Sequence, residues 1–290
     1  MTFSSLSETI DKVDDAISPQ EFNVLRNFLA TYSGLYLTDD KTYLAQARLP
    51  QVAKNYNMRS LHDLINAMGS PTAIKMREDI AEAMATPETF FFRDTKPFDI
   101  IKQDILPPLV AARSAIKTLR IWCAACSSGQ EPYSIAMMLN EMGLWQQGWR
   151  IEIWATDFSK KILDRAKAAE YTQFEVQRGL PIQLLVKYFE KDGAVYKIKQ
   201  DLKSKIQFQE FNLLQPMAGF RPFDIILCRN VLFYFDVPNK RKVLDQGIAT
   251  CLAKDGALFL GTAETVMGVS DKLIPDPVIR GVYRMKTDSI

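Results

Sequence analysis

The sequence lacks the features of several protein classes. No apolar run approaches the roughly 18 residues that a membrane span needs. The opening MTFSSLSETIDKVDDAIS has neither the basic flank nor the apolar stretch of a secretory signal. Thirty-six Lys and Arg against 34 Asp and Glu leave a net charge of only +2, which gives little attraction to nucleic acid or to an anionic membrane. We therefore expect a cytoplasmic protein that neither inserts into membranes nor binds nucleic acid.

The residue types of metal and hydrolase sites are also scarce. Only one histidine, His62, and four cysteines occur among the 290 residues. The pair Cys123-x-x-Cys126 lacks the second pair or the added histidines that zinc needs, so we expect no metal and interpret both cysteines as packing residues. No G-x-S-x-G motif is present, which leaves hydrolase chemistry without a nucleophile. The hydrophobic fraction of 47% with 24% charged residues is nevertheless typical of a folded globular chain.

Helix signals fill the first 85 residues. Ser18-Pro19-Gln20-Glu21 forms a capping box with proline at the first helical position, which predicts a helix over residues 18–33. Three more helices follow, and the first of these is expected to kink or restart at Pro50. We predict a small all-helical domain over residues 1–85, followed by a linker over residues 86–98.

A basic segment lies within this helical region. Residues 41–77 hold six Lys or Arg against one acid, Asp63. Lys41 and Arg48 are seven residues apart, which predicts that they share one helical face. Such a face is either merely solvated or recruits an acidic partner.

From about residue 117 short apolar runs alternate with helical patterns. This order predicts a doubly wound, mostly parallel sheet in an α/β domain over residues 99–290. Residues 171–205 break the rhythm, and their Asp192-Gly193 pair between apolar runs predicts a small antiparallel insertion. The strands are expected at residues 119–123, 151–156, 205–211, 223–228 and 257–260.

Ligands of such sheets bind beyond the carboxyl ends of the strands. The loop after the first strand contains one glycine, Gly129, rather than G-x-G-x-x-G, which disfavours a pyrophosphate ligand and favours S-adenosylmethionine. Asp157 follows the second strand, where it would either bind a ribose diol or cap a helix. The run Arg229–Phe235 after a later strand lacks the Asn/Asp-Pro-Pro-Tyr motif of enzymes that methylate the amines of bases.

Five segments in one order resemble the chemotaxis receptor methyltransferases, the CheR family. The resemblance runs from about Phe22 to Tyr283, and five motifs in register are specific although each alone is weak. The segments are Thr89-Phe-Phe-Phe-Arg93, Gly129-Gln-Glu-Pro-Tyr-Ser134, Ala155-Thr-Asp157, Asn212-Leu-Leu214 and Cys228-Arg-Asn-Val-Leu-Phe-Tyr-Phe235.

The resemblance implies a Rossmann-like class I methyltransferase domain behind a helical domain. It implies methyl transfer from S-adenosylmethionine to glutamate side chains of methyl-accepting chemotaxis proteins, giving glutamyl methyl esters, S-adenosylhomocysteine and sensory adaptation. The partner would be the receptor's cytoplasmic helical bundle, met by a monomer. Residues 171–205 resemble the family's β-subdomain, which in some members docks a peptide from the receptor's C-terminus.

The resemblance implies roles for individual residues: cofactor contacts follow by position in the matching motifs, and receptor contacts follow from basic residues that would face the acidic receptor helices. Arg93 and Tyr234 are implied to be catalytic, Arg93 by orienting a carboxylate and Tyr234 by positioning the attacking oxygen. Receptor contacts are implied for Lys41, Arg48 and Lys54. Cofactor contacts are implied for Thr89, Arg93, Glu131, Asp157, Asn212, Leu213, Arg229 and Asn230.

Three alternatives remain open at the level of sequence. Many family members have Asn where this chain has Pro87, so a scaffold that binds cofactor without turnover is one rival. A small-molecule or nucleic-acid methyltransferase is another. For Arg93, a surface ion pair with Asp94 or Asp99 is the alternative to a catalytic role.

Overall fold

The computed structural model describes residues 13–286. Two compact units divide the chain between Thr86 and Pro87. Each unit has its own secondary structure and buried core.

The N-terminal unit is helical. Ser18 caps its first helix, and the Ser18 and Glu21 side chains make the reciprocal hydrogen bonds of the predicted capping box. Ser60 likewise caps the third helix by accepting the Asp63 amide. The helices are α1 (Pro19–Tyr32), α2 (Thr42–Asn55), α3 (Leu61–Met68) and α4 (Ile74–Met84), with a 3₁₀ turn at Asp39–Lys41.

Helix α2 differs from expectation at Pro50. The helix is continuous from Thr42 to Asn55 with Pro50 inside it, so the expected restart is wrong. Leu49 and Val52 on either side of the proline are buried. Their burial offsets the loss of one backbone hydrogen bond, which is what a proline costs a helix interior.

The C-terminal unit alternates strands and helices. Its strands are β1 (Thr118–Ala124), β2 (Arg150–Asp157), β3 (Glu170–Thr172), β4 (Phe189–Asp192), β5 (Val195–Ile198), β6 (Ile206–Glu210), β7 (Phe223–Cys228), β8 (Leu252–Leu260), β9 (Leu273–Pro275) and β10 (Val282–Met285). Its α-helices are α5 (Lys96–Ile100), α6 (Leu106–Ala112), α7 (Gln130–Glu141), α8 (Lys160–Ala168), α9 (Gln173–Gln177), α10 (Ile182–Tyr188), α11 (Gln200–Lys203), α12 (Val237–Arg241) and α13 (Ala249–Cys251). π-Helical turns at Ile101–Ile105 and Lys242–Ile248 join α5 to α6 and α12 to α13, and a 3₁₀ turn occupies Leu232–Tyr234.

Seven strands form the main sheet in the order β6-β2-β1-β7-β8-β10-β9. The five strands from β6 to β8 are parallel, and β10 is antiparallel to both of its neighbours. Apolar side chains bury both faces of this sheet, as parallel strands require. The predicted α/β fold with a mostly parallel sheet is confirmed.

The insertion is a second sheet. Strands β3, β5 and β4 pair antiparallel in that order, and the β4–β5 hairpin turns at the predicted Asp192-Gly193 pair. Gly193 has a φ of +57° in this turn. Among residues 13–286, no helix has the length and apolar character to cross a membrane.

Candidate active site

One edge of the main sheet collects the predicted cofactor residues of the C-terminal unit. Because β1, β2, β6, β7 and β8 are parallel, their carboxyl ends meet at this edge. The register places Ala124 opposite both Thr156 and Cys228, and Asp157 opposite Glu210. The loops that follow these strands therefore start side by side.

The loop after β1 depends on its single glycine. Gly129 has a φ of +92°. A Cβ there would lie 3.1 Å from Ala166 and from the Tyr133 ring, and 3.2 Å from the Tyr171 hydroxyl. Gly129 therefore lets α7 begin tightly against its neighbours, which is a packing role rather than a pyrophosphate cradle.

Asp157 joins two of the loops. Its carboxylate is buried and accepts the Ser127 amide at 2.9 Å and the Ser159 amide at 3.1 Å. The cap of α8 is Ser159, whose hydroxyl accepts the Ile162 amide, so Asp157 is not the helix cap. An acid held this rigidly after the second strand suits a ribose diol.

We expect Asp157→Ala to raise the dissociation constant for S-adenosylhomocysteine roughly 5- to 150-fold, because a buried diol that loses its acceptor costs about 1–3 kcal/mol. Calorimetric titration measures this. The matched control is Ser159→Ala, which removes the α8 cap and is expected to lower the unfolding temperature without changing affinity. Unchanged affinity in a folded Asp157 variant would mean that the acid serves the fold of these loops and not the cofactor.

Arg229, after β7, forms the most buried ion cluster of the site. Its side chain is 1% exposed and donates to Glu131 Oε2 at 2.8 Å and to Asp94 Oδ2 at 2.7 Å. It also donates to the Arg93 carbonyl at 2.9 Å. One guanidinium thereby ties α7 to the segment that carries Thr89 and Arg93.

The cluster also has capacity for an acceptor. Burial raises the pKa of Glu131, and the adjacent Arg229 counteracts part of that rise. Among the described residues, no partner accepts the buried Nε–H of Arg229. A buried donor of this kind fits the carboxylate of an amino acid head group, which S-adenosylmethionine carries.

Pro87 to Asp94 form a segment that is fastened to the sheet domain at several points. The Ser127 hydroxyl donates to the Pro87 carbonyl at 2.8 Å, and the Phe92 amide donates to the Ser134 hydroxyl at 2.9 Å. The Phe91 ring is fully buried, 5.0 Å from the Tyr171 ring. Pro87 therefore lacks a side-chain amide but still anchors the segment through its carbonyl.

Arg93 and Arg178, a residue of the insertion, both lie over the ring of Phe90. The Arg93 guanidinium lies 5.4 Å from the Phe90 ring centroid and donates to the Glu88 carbonyl at 2.8 Å. Arg178 lies 4.3 Å from the same ring and pairs with the Glu88 carboxylate. The alternative partner Asp94 is paired with Arg229 instead.

Backbone strain concentrates in these loops. Of nine described non-glycine residues with positive φ, six lie in three segments of the site. Such conformations cost about 1–3 kcal/mol each and persist where surrounding structure enforces them, often at functional sites. The six residues are Phe92, Asp94, Thr95, Ala125, Ser127 and Asn230.

The remaining predicted residues of this unit lie in the loops after β6 and β7. The Asn212 side chain accepts the Leu214 amide at 3.0 Å, and Leu213 is buried beside it. Asn230 directly follows Arg229, and Tyr234 ends the 3₁₀ turn with its ring 4.1 Å from that of Phe233.

Sequence reasoning missed Glu264. This acid is 9% exposed and accepts backbone amides from the loops after both β7 and β8. Its signal was available, because Gly261-Thr-Ala-Glu264 follows the predicted strand that ends at Leu260 and so falls at the same sheet edge.

The predicted receptor contacts belong to the N-terminal unit. Lys41 pairs with Asp40 at 2.9 Å and lies just before α2, whereas exposed Lys54 lies in its last turn. Arg48 donates to the Met84 carbonyl at 2.6 Å and the Ala85 carbonyl at 3.2 Å, the free carbonyls that end α4. Arg48 thus has a structural role in this unit.

All four cysteines are buried thiols. Burial raises the pKa of Cys123 and of Cys126, so both stay protonated and unreactive near neutral pH. Among residues 13–286, no group of three or more histidine, cysteine or acidic side chains is arranged to hold a metal ion.

Fold and site together define the class. Five parallel strands followed at one side by the antiparallel strand β10, with a buried acid after β2, are typical of class I S-adenosylmethionine-dependent methyltransferases. Residues 87–277 match the family described as "CheR methyltransferase, SAM binding domain". The chain belongs to the CheR family, and the predicted family and cofactor are confirmed.

The names of similar proteins agree with this family assignment. "Chemotaxis protein methyltransferase Cher2" of Pseudomonas putida is 37% identical over 255 residues, which is 87% of this chain and 92% of that protein. "Chemotaxis protein methyltransferase 1" of Pseudomonas aeruginosa is 38% identical over 255 residues, with the same two shares. The "Chemotaxis protein methyltransferase" of Vibrio anguillarum is 39% identical over 259 residues, 88% of this chain and 93% of that protein.

Proposed function

We propose that the chain transfers methyl groups from S-adenosylmethionine to glutamate side chains of chemoreceptors. The products are glutamyl methyl esters and S-adenosylhomocysteine, and the role is sensory adaptation in the cytoplasm. The similarity to chemotaxis protein methyltransferases over nearly the whole chain supports this assignment.

One structural observation carries the choice of a carboxylate acceptor. The buried acids of the site are already hydrogen-bond acceptors: Asp157 for two amides, Glu131 for Arg229 and Glu264 for several amides. The only histidine of the chain, His62, belongs to the other unit. Such a site suits an acceptor that needs no general base. A glutamate side chain is such an acceptor, because its usual pKa is about 4.3 and it is already ionised at pH 7. Orientation is what the site must supply.

The roles of the residues follow from this requirement. The cofactor supplies an electrophilic methyl group on its sulfonium sulfur. In our proposal Thr89, Glu131, Asp157, Asn212, Leu213, Arg229 and Asn230 hold the cofactor. Arg93 orients a carboxylate with its planar pair of donors, and Tyr234 positions the attacking oxygen.

The test is incubation of the enzyme with labelled S-adenosylmethionine and membranes that contain chemoreceptors. Label that base releases as methanol is expected, because carboxyl methyl esters are base-labile. Membranes without chemoreceptors serve as the control. Base-stable label would indicate another acceptor, and bound S-adenosylhomocysteine without incorporation would indicate a cofactor-binding scaffold.

We propose that the enzyme, as a monomer, meets the receptor's acidic helical bundle through basic residues of its N-terminal unit. Because Arg48 holds the end of α4, reversing its charge is expected to destabilise that unit. Lys41, whose side chain is 41% exposed, lies just before α2, and exposed Lys54 lies near its other end; these two are the better probes.

We expect Lys41→Glu/Lys54→Glu to raise the Michaelis constant for receptor several-fold and to leave S-adenosylhomocysteine affinity unchanged. The difference should shrink with added salt, since such contacts are screened over about 10 Å at 0.1 M. Steady-state kinetics at two ionic strengths measure both effects. The matched control is Lys41→Gln/Lys54→Gln, for which a smaller rise is expected. Equal receptor kinetics at low salt would leave docking to the insertion at residues 171–205, by strand addition of a receptor C-terminal peptide.

A further inference from the structure

Glu264 is a buried carboxylate that gathers backbone amides from two loops. Its Oε2 accepts the Asn230 amide at 2.8 Å and the Gly261 amide at 2.6 Å. Its Oε1 accepts the Val231 amide at 2.9 Å and the Phe233 amide at 3.2 Å. Four charge-assisted hydrogen bonds satisfy an acid that would otherwise be costly to bury.

The loop after β7 depends on this acid. Three of the four amides come from residues 230–233, which lie between Arg229 and Tyr234. Asn230 has a φ of +59°, a left-handed conformation that asparagine tolerates but does not prefer. The Glu264 carboxylate offsets the cost of that conformation by binding the amide of the strained residue itself.

The loop after β8 is shaped to bring the acid into place. A Cβ at Gly261 would lie 2.7 Å from Glu264 Oε2, 2.8 Å from Asn230 Nδ2 and 2.9 Å from the Asn230 amide nitrogen. Only glycine leaves room for this close approach. Gly261 and Glu264 therefore act together: the glycine leaves the space in which the carboxylate joins the two loops.

We propose that Glu264 is a positioning residue for cofactor binding and methyl transfer. Its carboxylate fixes the backbone of residues 230–233 and thereby places the Asn230 side chain against the cofactor and Tyr234 against the attacking carboxylate. The part that concerns Tyr234 rests on the proposed function, whereas the part that concerns Asn230 rests on its proposed contact with the cofactor and needs no receptor.

Glu264→Gln is the principal test, because it replaces one acceptor oxygen with an NH₂ group that faces backbone donors. We expect the dissociation constant for S-adenosylhomocysteine to rise at least 10-fold and kcat to fall at least 10-fold, with the Michaelis constant for receptor unchanged. Glu264→Asp keeps the charge on a shorter side chain and is expected to be intermediate. Asp104→Asn removes an exposed charge elsewhere in the same unit and should match the wild type.

Gly261→Ala tests the same link between the two loops while the Glu264 carboxylate is kept. We expect it to reproduce the losses of affinity and kcat, because the added methyl group pushes Asn230 and Glu264 apart. If Glu264→Gln does not fold, this variant and Glu264→Asp decide the question. A purely structural role would lower the unfolding temperature and leave the affinity and kcat of the folded protein unchanged, and that result would overturn the proposal.

The two proposals fail in different ways. Affinity for S-adenosylhomocysteine is measured without any receptor. If wild-type enzyme incorporates no base-labile methyl group, the proposed function fails while the affinity series still tests Glu264. If wild-type methylation is normal and the folded Glu264 and Gly261 variants bind and turn over normally, only the positioning role fails.

Discussion

Replacing Arg229 by methionine is expected to lower the unfolding free energy of the C-terminal unit by about 3–5 kcal/mol, because it leaves a buried acid without its counter-charge. Arg229 is 1% exposed and holds Glu131, which is 12% exposed. Chemical denaturation of the wild type and Arg229→Met measures this loss. Calorimetry on the folded fraction is expected to detect no S-adenosylhomocysteine binding.

The loss should depend on pH in a defined direction. Burial already raises the pKa of Glu131, and removal of Arg229 raises it further. A group whose pKa is higher in the folded state than in the unfolded state favours folding at low pH and loses that contribution as pH rises through the folded value. The destabilisation by Arg229→Met should therefore be smaller near pH 5 than near pH 8.

A double variant separates folding from function. Glu131→Gln/Arg229→Met removes both charges of the buried pair and leaves Asp94, whose side chain is 31% exposed and can be solvated. Most of the stability should therefore return while cofactor affinity does not. Restored stability together with wild-type affinity would show that the cluster only holds the fold. A single variant as stable as the wild type would contradict the buried ion pair itself.

The strands could be predicted where burial dictates composition. The run Phe223–Cys228 is apolar apart from Asp224 and was predicted with its observed ends, because a strand covered on both faces needs such a run. The hairpin of β9 and β10 was missed, since its strands have only three and four residues. Helix α6 was missed as well, because Pro107 and Pro108 favour a break even though a helix tolerates proline in its first turn.

The site could be predicted only in part. The motif residues were placed by resemblance, and their positions at the strand ends follow from the parallel sheet. Their partners could not be predicted, because Arg229 meets Asp94 across 135 residues of sequence. Glu264 could have been noticed from its place after the strand that ends at Leu260, but three of the four amides that it accepts lie 31 to 34 residues away, which no local pattern encodes.

The role of Arg48 in the N-terminal unit also could not be predicted from sequence spacing. Its spacing from Lys41 predicts a shared helical face, yet Lys41 lies outside α2 and Arg48 binds the last carbonyls of α4. A positive charge at a helix C-terminus is favourable because unpaired carbonyls and the helix dipole attract it. Charge spacing alone does not distinguish this role from a receptor contact.

Arg93→Ala is expected to lower kcat for receptor methylation by about 100- to 1,000-fold, the usual cost of removing one oriented donor from a transition state. The fold should remain, since Arg93 is only partly buried and its contacts are the Glu88 carbonyl and the Phe90 ring. Arg93→Lys should recover part of the activity, because an ammonium group keeps the charge but lacks the planar pair of donors.

The matched control for Arg93 is Arg178→Ala, which removes the other guanidinium from the same Phe90 ring together with an ion pair to Glu88. If packing on the Phe90 ring alone mattered, both alanine variants would lose activity to the same extent. We expect instead that Arg178→Ala changes kcat by less than about threefold, since its exposed ion pair contributes little stability. Circular dichroism and unfolding temperature establish that both variants are folded. Near-normal turnover by Arg93→Ala would contradict a catalytic role for Arg93 and would indicate that its side chain only packs at the surface beside Phe90.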